Sequence, residues 1–358
     1  MKKKIVLLGP YPPPYGGVSI YISTLFEIFR DRGVHLWTYG DRELSAANVR
    51  FMKDKRRQLL PLLLREGRGA RIADCTHFLL EYPSAIVPAW VAAKRALKFE
   101  WIKIVQDGSL PSRYQLFSPA RRKLFRMAQR AISEFVVLND ELRRWLVDEI
   151  GVRQNVTVIK NIFPTAACDQ QSALPAEIKR AASGHLNRAK RVCSIGVFIP
   201  DYGFAHVAEA VERLRTDTRE DVGLLLLDGD FAETPGHRDA VLRDRPWITV
   251  LKNVPHPLVF QLLKRSDVFV RGFGLESYGL SRVEALWCGL PVVATRAGET
   301  RGMLLYDFGD VDALTAQLKK ALAGDHRAAS EKWAALYRRE AEENLKAIAK
   351  KLGVSLDR

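Results

Sequence analysis

The chain has 358 residues, of which 47% are hydrophobic and 27% are charged. This composition excludes an intrinsically disordered protein, and the length is sufficient for two domains, each with its own core. No apolar run approaches the roughly 20 residues that span a bilayer. Four scattered cysteines without C-x-x-C spacing argue against a zinc site. The net charge of +15 is uneven, because residues 1–165 hold 28 Lys and Arg against 15 Asp and Glu.

Strands and helices alternate in the first half of the chain. Residues 1–10 superficially resemble a signal peptide, but their apolar part is too short, so we predict a first β-strand there. Strands are predicted at residues 5–8, 34–38, 76–80, 102–105, 135–138 and 156–159, and helices at 18–32, 85–97 and 121–133. Strands separated by helices of this length imply a parallel sheet with helices on both faces.

A polar, alanine-rich stretch at residues 165–190 is predicted to be a linker, after which the pattern restarts. Strands are predicted at 191–197, 222–227, 248–251, 268–270 and 291–294, a helix at 205–214, and a final amphipathic helix at about 328–352. The strand at 222–227 is predicted to end in Asp228-Gly229-Asp230. The predicted fold is therefore α/β, with two Rossmann-like, doubly wound domains at residues 1–165 and 166–327.

Two glutamates, Glu276 and Glu284, lie eight positions apart in the second half of the chain. Gly279 opens a predicted helix and Gly289 closes it, so the first glutamate lies in a loop and the second inside the helix. Amide groups at a helix N-terminus have no internal partner and carry partial positive charge, which suits a phosphate.

Leu280 and Glu284 lie one turn apart on one face of this helix, so a carboxylate lies beneath any anion held at Gly279 and Leu280. That carboxylate can accept hydrogen bonds from the hydroxyls of an attached sugar or ribose. The pattern predicts a site for a sugar joined to phosphate. The alternative is an ordinary buried helix preceded by a loop with one solvated glutamate.

The whole run resembles the signature of retaining GT-B glycosyltransferases of family four, which transfer sugars from nucleotide-sugar donors. The resemblance implies that Glu276 contacts the hydroxyls of the donor sugar and that Glu284 contacts the nucleotide ribose. It covers nearly the whole chain and implies a GT-B architecture, in which residues 1–165 bind the acceptor, 166–327 bind the donor, and 328–358 pack back on the N-terminal domain. The other donor-binding residues carried over from the motif are Ser277, Tyr278, Gly279, Leu280 and Arg282.

Two further segments match the family pattern. Gly16 and Gly17 stand at the position of the family's glycine loop, which borders the donor phosphate and the acceptor; a plain strand-to-helix turn is the alternative. Asp107 follows a predicted strand, where ligands gather in doubly wound sheets. We assign Asp107 to the catalytic residues together with Glu276, and the alternative is that it caps the turn with Gly108.

The chain departs from the family at Val197 and Tyr202, where typical members have an arginine and a lysine that bind the donor diphosphate. Electrostatic contacts of this kind are often worth about 2.7–4 kcal/mol each. Candidate replacements near the motif are Arg271, Arg282, Arg296 and Lys252. His256 precedes the nucleotide-contacting region of the family, and we interpret it as structural.

Basic and apolar residues are interleaved at residues 53–65 and 121–127. Such segments suit an anionic membrane surface, and a solvated basic face is the alternative. Nucleic acid is not predicted as a partner, because the sequence has no helix-turn-helix, zinc-finger or RNA-recognition signature.

The resemblance implies a retaining glycosyltransferase that moves a sugar from a nucleotide-diphosphate sugar to a polysaccharide or lipid-linked acceptor in cell-surface glycan biosynthesis. In the family's front-face mechanism the leaving phosphate assists the incoming hydroxyl, so neither a metal nor another cofactor is expected. The predicted location is the cytoplasm, peripheral on the inner membrane face, because scattered cysteines fit a reducing compartment. The alternative function is a non-catalytic GT-B-like binding subunit of a polysaccharide assembly complex.

Overall fold

The computed structural model describes residues 3–41, 43–162, 173–324 and 326–356. Two compact units divide the chain. Unit 1 comprises Met1–Pro13, Gly17–Ile162 and Ala341–Arg358, and unit 2 comprises Pro14–Gly16 and Phe163–Glu340. The predicted boundary between residues 165 and 166, and the first part of the predicted linker, lie outside the described residues.

Unit 1 contains a sheet of seven parallel strands. They are β1 (Ile5–Pro10), β2 (Val34–Tyr39), β3 (Val49–Phe51), β4 (Arg71–Asp74), β5 (Glu100–Val105), β6 (Glu134–Val137) and β7 (Asn155–Val158). Their order is β3-β2-β1-β4-β5-β6-β7, and Ile5 pairs with Val34 on one side and with Arg71 on the other. Because the strand order reverses at β1, the carboxyl ends of the strands form the edge at which doubly wound sheets bind ligands.

Helices cover both faces of this sheet. They are α1 (Gly17–Phe29), α2 (Lys55–Glu66), α3 (Ile86–Leu97), α4 (Leu110–Gln115), α5 (Pro119–Ala131) and α6 (Asp140–Arg144), with a 3₁₀ turn at Arg30–Arg32 and a π-helical turn at Trp145–Glu149. Alternate residues of β1 point to opposite faces. Val6 and Leu8 therefore join the core beneath α2, α3 and α5, whereas Ile5 and Leu7 join the core beneath α1.

Unit 2 repeats this arrangement with six parallel strands. They are β8 (Lys190–Phe198), β9 (Val222–Glu233), β10 (Ile248–Lys252), β11 (Val268–Arg271), β12 (Val292–Thr295) and β13 (Leu304–Tyr306). Their order is β10-β9-β8-β11-β12-β13. The helices are α7 (Ala176–Ala181), α8 (Ser183–Leu186), α9 (Phe204–Thr218), α10 (His237–Leu242), α11 (His256–Leu263), α12 (Leu280–Trp287) and α13 (Val311–Ala323), with a 3₁₀ turn at Pro200–Tyr202. The two sheets confirm the prediction of two Rossmann-like, doubly wound halves.

The last helix, α14 (Arg327–Leu352), changes unit along its length. Residues up to Glu340 belong to unit 2, and those from Ala341 belong to unit 1. Ile348 and Leu352 are buried in the same core as Ile5. Of the segment predicted to pack on the N-terminal domain, residues 341–356 therefore lie in unit 1, whereas the described residues of 328–340 lie in unit 2.

The predicted strand at residues 76–80 is wrong. β4 ends at Asp74, whose side chain accepts a hydrogen bond from the backbone N–H of Thr76 at 2.7 Å and turns the chain. The buried ammonium of Lys103 donates to the carbonyl of Thr76 and lies 3.1 Å from the carboxylate of Glu81. The apolar run is thus a buried turn held by side chains, which a strand-like pattern does not reveal.

Two more local predictions need correction. The linker cannot extend to residue 190, because α7 and α8 occupy part of it and α8 packs against β9 and β10. His185 of α8 is fully buried, with Nε2 3.2 Å from the Ser266 hydroxyl. Asp228-Gly229-Asp230 does not end its strand either, since β9 continues to Glu233, which pairs with Phe198 after a register shift.

Candidate functional site

The two predicted glutamates lie where β11 ends and α12 begins. Gly279 precedes α12 in the left-handed region, with φ of 87°. A Cβ there would lie 2.8 Å from Cδ of Arg282 and 3.1 Å from Cγ of Glu276, so only glycine fits. Gly279 has no side chain that could cap this N-terminus. That the first-turn amides face an anion stays a prediction.

Glu276 lies in the loop between the two elements and pairs with Arg271, the last residue of β11. The Nε of Arg271 is 2.7 Å from Oε2 of Glu276, and both side chains are only about one-tenth exposed. A second nitrogen of the same guanidinium donates to the carbonyl of Ile195 at 2.5 Å. The carboxylate is thus held at the strand end by a charge-assisted hydrogen bond.

Arg271 also lies against two aromatic rings. One of them belongs to Tyr202, the position at which typical family members have a lysine. Its guanidinium is 5.0 Å from the ring of Tyr202 and 5.3 Å from that of Phe273, and these two rings stack at 4.3 Å. Burial opposes the charge of Arg271, but the Glu276 carboxylate and Tyr202 outweigh it and raise the pKa of the guanidinium. Val197, the other position that departs from the family, is fully buried in β8. Of the candidate replacement cations, Arg271 is the one beside Tyr202.

Glu284 lies inside α12 with its side chain only 4% exposed. Its Oε1 is 2.7 Å from Nε2 of His256, the first residue of α11. The sequence interpretation of His256 as structural did not foresee this contact, because the two residues are 28 positions apart. The predicted ribose contact of Glu284 is therefore accompanied by a histidine that positions its carboxylate.

Arg282 is placed differently from the prediction that it contacts the donor. Its side chain is fully buried, and its guanidinium donates to the carbonyls of Thr295, Ala297 and Glu299 and to the hydroxyl of Thr295. Burial lowers the pKa of Arg282 to about 10. Its observed role is to tie the loop after β12 to α12, beneath the predicted phosphate site.

The remaining members of the predicted donor set follow Glu276 in the chain and are buried. Ser277, Tyr278 and Leu280 are all less than one-tenth exposed. The carbonyl of Tyr278 accepts a hydrogen bond from the N–H of Glu299 at 2.9 Å. Gly298 was not predicted, yet a Cβ there would lie 2.9 Å from Cγ of Glu276. The loop after β12 therefore packs directly on the loop that carries Glu276.

The other two candidate cations are engaged at the surface of unit 2. Arg296 pairs with Asp307 at 3.0 Å, and both side chains are more than half exposed. Lys252 pairs with Asp230 at 3.2 Å and is also about half exposed.

Asp107 lies in unit 1, after β5. Its Oδ1 accepts hydrogen bonds from the N–H and the hydroxyl of Ser109, and its Oδ2 is 2.5 Å from Arg113. Burial would raise the pKa of Asp107, but Arg113 and the Ser109 hydroxyl lower it below its usual value. These contacts match the turn-capping alternative, and the catalytic assignment stays a prediction.

Gly16 and Gly17 fall on opposite sides of the division between the units. Gly17 is the first residue of α1, and an added Cβ would meet nothing within 4 Å. Gly16 is grouped with unit 2, where an added Cβ would lie 3.5 Å from the ring of Phe231. Their predicted role beside the donor phosphate is untested by these contacts.

Two further observations concern the described residues as a whole. They contain no group of three or more His, Cys, Asp or Glu side chains arranged to hold a metal ion. None of their helices combines the length and hydropathy needed to cross a bilayer. The cysteines among them, Cys75, Cys193 and Cys288, are not in disulfides.

Comparison with known proteins bears on the same segment. The family described as glycosyl transferases group 1 matches residues 175–340, which include both glutamates. Comparison with curated proteins gives no match.

Solved structures resemble the whole chain. HepE from Anabaena, in complex with UDP and glucose, is 16% identical with a TM-score of 0.74, and the match covers 98% of this chain and 100% of that one. An alpha,alpha-trehalose-phosphate synthase (UDP-forming) from Burkholderia vietnamiensis is 13% identical with a TM-score of 0.70, covering 98% and 99%. Sucrose-phosphate synthase from Thermosynechococcus elongatus is 16% identical with a TM-score of 0.65, covering 98% and 96%. At these identities the likeness shows the fold.

The matched segment and the fold lead to one assignment. The family match spans nearly all of unit 2. It begins just before α7, ends at Glu340, the last residue of α14 in unit 2, and contains the Glu276 loop and α12. The full-length structural matches account for both doubly wound sheets. The chain therefore has the GT-B fold, and its residues 175–340 match the family of glycosyl transferases group 1, which supports a glycosyltransferase.

Proposed function

We propose that the protein is a retaining glycosyltransferase that moves a sugar from a nucleotide-diphosphate sugar to a polysaccharide or lipid-linked acceptor in cell-surface glycan biosynthesis. The observation that carries this proposal is the arrangement at α12. A helix N-terminus whose N-cap residue is glycine lies between a loop carboxylate, Glu276, and a buried helical carboxylate, Glu284. Amides suit the diphosphate, and the two carboxylates suit hydroxyls on either side of it.

Each residue has a role that follows from its contacts. Glu276 accepts a hydrogen bond from a hydroxyl of the donor sugar, and Arg271 holds its carboxylate in place for this contact. Glu284 accepts from the ribose, with His256 fixing the carboxylate orientation. The amides of Gly279 and Leu280 receive the phosphate. Asp107 remains a candidate catalytic residue, and Gly16 and Gly17 remain candidates for binding the donor.

Arg271 is the cation we propose in place of the two that the family has at positions 197 and 202. It lies beside Tyr202 and close to the predicted phosphate site, and its guanidinium stays charged because Glu276 raises its pKa. In the front-face mechanism the leaving phosphate takes the proton of the incoming hydroxyl, so the chain needs to stabilise negative charge rather than supply a base. On this proposal the reaction requires no metal or other cofactor.

UDP is the first nucleotide to test, because one similar structure contains UDP and glucose and another belongs to a UDP-forming synthase. The experiment is a thermal-shift screen of UDP-, GDP-, ADP- and dTDP-sugars beside the bare nucleotides. A ligand that binds only the folded state, present at 100 times its Kd, adds about 2.7 kcal/mol of stability. We expect a selective shift that Glu284→Ala removes and that Glu177→Ala, an exposed glutamate of the same unit, retains.

Transfer is tested separately from binding. Glu276→Gln should keep the thermal shift with the bare nucleotide but lose transfer of the sugar, because a neutral amide oxygen accepts a weaker hydrogen bond from the sugar hydroxyl than a carboxylate does. Product anomers resolved by NMR distinguish retention from inversion. Full transfer activity in Glu276→Gln would refute the assignment of this carboxylate.

A non-catalytic binding subunit is the second candidate function. The observation that favours it is that Arg271, the candidate cation beside Tyr202, is already paired with Glu276, so less of its charge is available to a leaving phosphate. This candidate predicts donor binding without release of nucleotide in the presence of any acceptor fraction. Measurable release would remove it.

We further propose a cytoplasmic location, peripheral on the inner membrane face. The large excess of basic residues before residue 166 supports this location, since anionic lipids attract such a surface.

A further inference from the structure

A basic groove lies between α3 and α5 of unit 1, outside the candidate donor site. Its volume is about 440 Å³. Eight residues line it, and they are of two kinds: apolar side chains and cations, with no carboxylate among them. The apolar ones are Val91, Met127 and Ala131, and the basic ones are Lys94, Arg95, Lys123, Arg126 and Arg130.

The local sequence explains why cations collect along this groove. In α5 the side chains of Phe125, Ala128 and Gln129 are buried, whereas those of Lys123, Arg126 and Arg130 are exposed. That helix of 13 residues contains five basic residues and no acidic one, and α3 adds Lys94 and Arg95, again with no acidic residue. Because α3 packs against α5, the two basic surfaces meet along one line.

Among the described residues, none of the five basic groove residues forms an ion pair with a carboxylate. Burial and the adjacent charge of Arg95 lower the pKa of the Lys94 ammonium. Glu100 raises it, but only in part. Like charges held together in this way repel one another, and a bound anion relieves the repulsion.

The apolar side chains decide which kind of anion fits. Val91 and Met127 place hydrocarbon beside the cations, which suits a molecule with an anionic head and an apolar chain. Leu116, two residues before the N-cap of α5, is 84% exposed. Leu64 on α2, the helix on the other side of α3, is 56% exposed. Large exposed apolar side chains beside basic helices are typical of surfaces that contact lipid.

We propose that the groove between α3 and α5 binds the headgroup phosphates of anionic phospholipids and thereby docks unit 1 on a membrane surface. The acyl region meets Val91, Met127 and the exposed Leu116, while the five cations contact phosphates. This inference deepens the peripheral-membrane part of the proposed function. It is independent of the donor site, so failure of either leaves the other standing.

The test is cosedimentation of the full-length protein with vesicles of phosphatidylcholine, with and without 30% phosphatidylglycerol. We expect binding only to the anionic vesicles and its loss at about 0.5 M salt, where screening shortens the range of the interaction. The triple variant Lys123→Gln/Arg126→Gln/Arg130→Gln should bind about a hundredfold more weakly, since each well-placed basic residue contributes about fivefold.

A charge-matched control separates the groove from net charge. Lys179→Gln/Arg180→Gln/Arg243→Gln removes three exposed cations from unit 2 and should bind vesicles as the unaltered protein does. Equal loss of binding in both triple variants, or none in the groove variant, would overturn the proposal. Leu116→Ser changes an exposed side chain and should weaken vesicle binding without lowering Tm. Glu284→Ala should leave vesicle binding intact.

Soluble anions provide the last comparison. Duplex DNA and inorganic phosphate at equal phosphate concentration should fail to displace the protein from vesicles, because neither fills the apolar part of the groove. Displacement by either would show that the groove binds phosphate without a lipid surface and would overturn the proposal.

Discussion

The pair formed by Arg271 and Glu276 can be tested by removing its cation. Arg271→Met keeps an unbranched side chain but loses the bond of 2.7 Å to Glu276 and that of 2.5 Å to the carbonyl of Ile195. Removing one partner of a buried pair costs about 3–5 kcal/mol, because the other charge is left uncompensated. Since both side chains are about one-tenth exposed, we expect the lower end, about 3 kcal/mol of the free energy of unfolding.

The assay is a double-mutant cycle with Glu276→Gln, followed by urea denaturation of all four proteins. A hydrogen bond to a charged group contributes about 1.5–3 kcal/mol, so the coupling between the two substitutions should be about 2 kcal/mol. Arg296→Met is the matched control, because Arg296 makes a similar bond of 3.0 Å to Asp307 with both side chains more than half exposed. It should cost less than about 1 kcal/mol.

The reasoning also predicts activity. If Arg271 stabilises the leaving phosphate, Arg271→Met should lower kcat by about 10²–10³-fold, whereas Arg296→Met should leave it unchanged. Additivity of Arg271→Met and Glu276→Gln within about 0.5 kcal/mol would refute the pairing. Unchanged kcat in folded Arg271→Met would refute the role of Arg271 in place of the family's cations.

Two further predictions concern the stability of unit 2. Gly279→Ala should destabilise it by more than Gly289→Ala, because both positions have positive φ but only at Gly279 would a Cβ meet Arg282 at 2.8 Å; equal losses of Tm would contradict this steric argument. Burial, with a smaller effect of Arg191, lowers the pKa of His185 to about 4. The folded state therefore stays neutral at His185 while the unfolded state takes up a proton below about pH 6.5, so stability is lost as pH falls. Between pH 7 and 5 the free energy of unfolding should fall by about 2 kcal/mol because of His185. In urea denaturation, His185→Gln should abolish this part of the pH dependence. An unchanged pH dependence would show that His185 does not titrate in this range.

The local features of the candidate site could be predicted from the sequence. Glu276, Gly279 and Glu284 lie within nine residues, and the relation between a loop carboxylate, a helix start and a carboxylate one turn further depends only on helix geometry. The same holds for the two doubly wound halves, because alternation of strand and helix patterns directly encodes a parallel α/β sheet. The prediction of a strand at 76–80 was wrong because a mainly apolar run also suits a buried turn, and the hydrogen bonds of Asp74 and Lys103 that hold this turn are not visible in a sequence pattern.

Tertiary structure alone decided how these local features are completed. Arg271 reaches Tyr202 only because β11 pairs with β8, and His256 reaches Glu284 only because α11 packs on α12. The basic groove requires α3 and α5 to lie side by side, although their cations are about 30 residues apart in sequence. Periodicity specifies backbone conformation and the buried face, which are properties of neighbouring residues. Which distant charges meet depends on strand order and helix packing, and these arise only when the whole core is assembled.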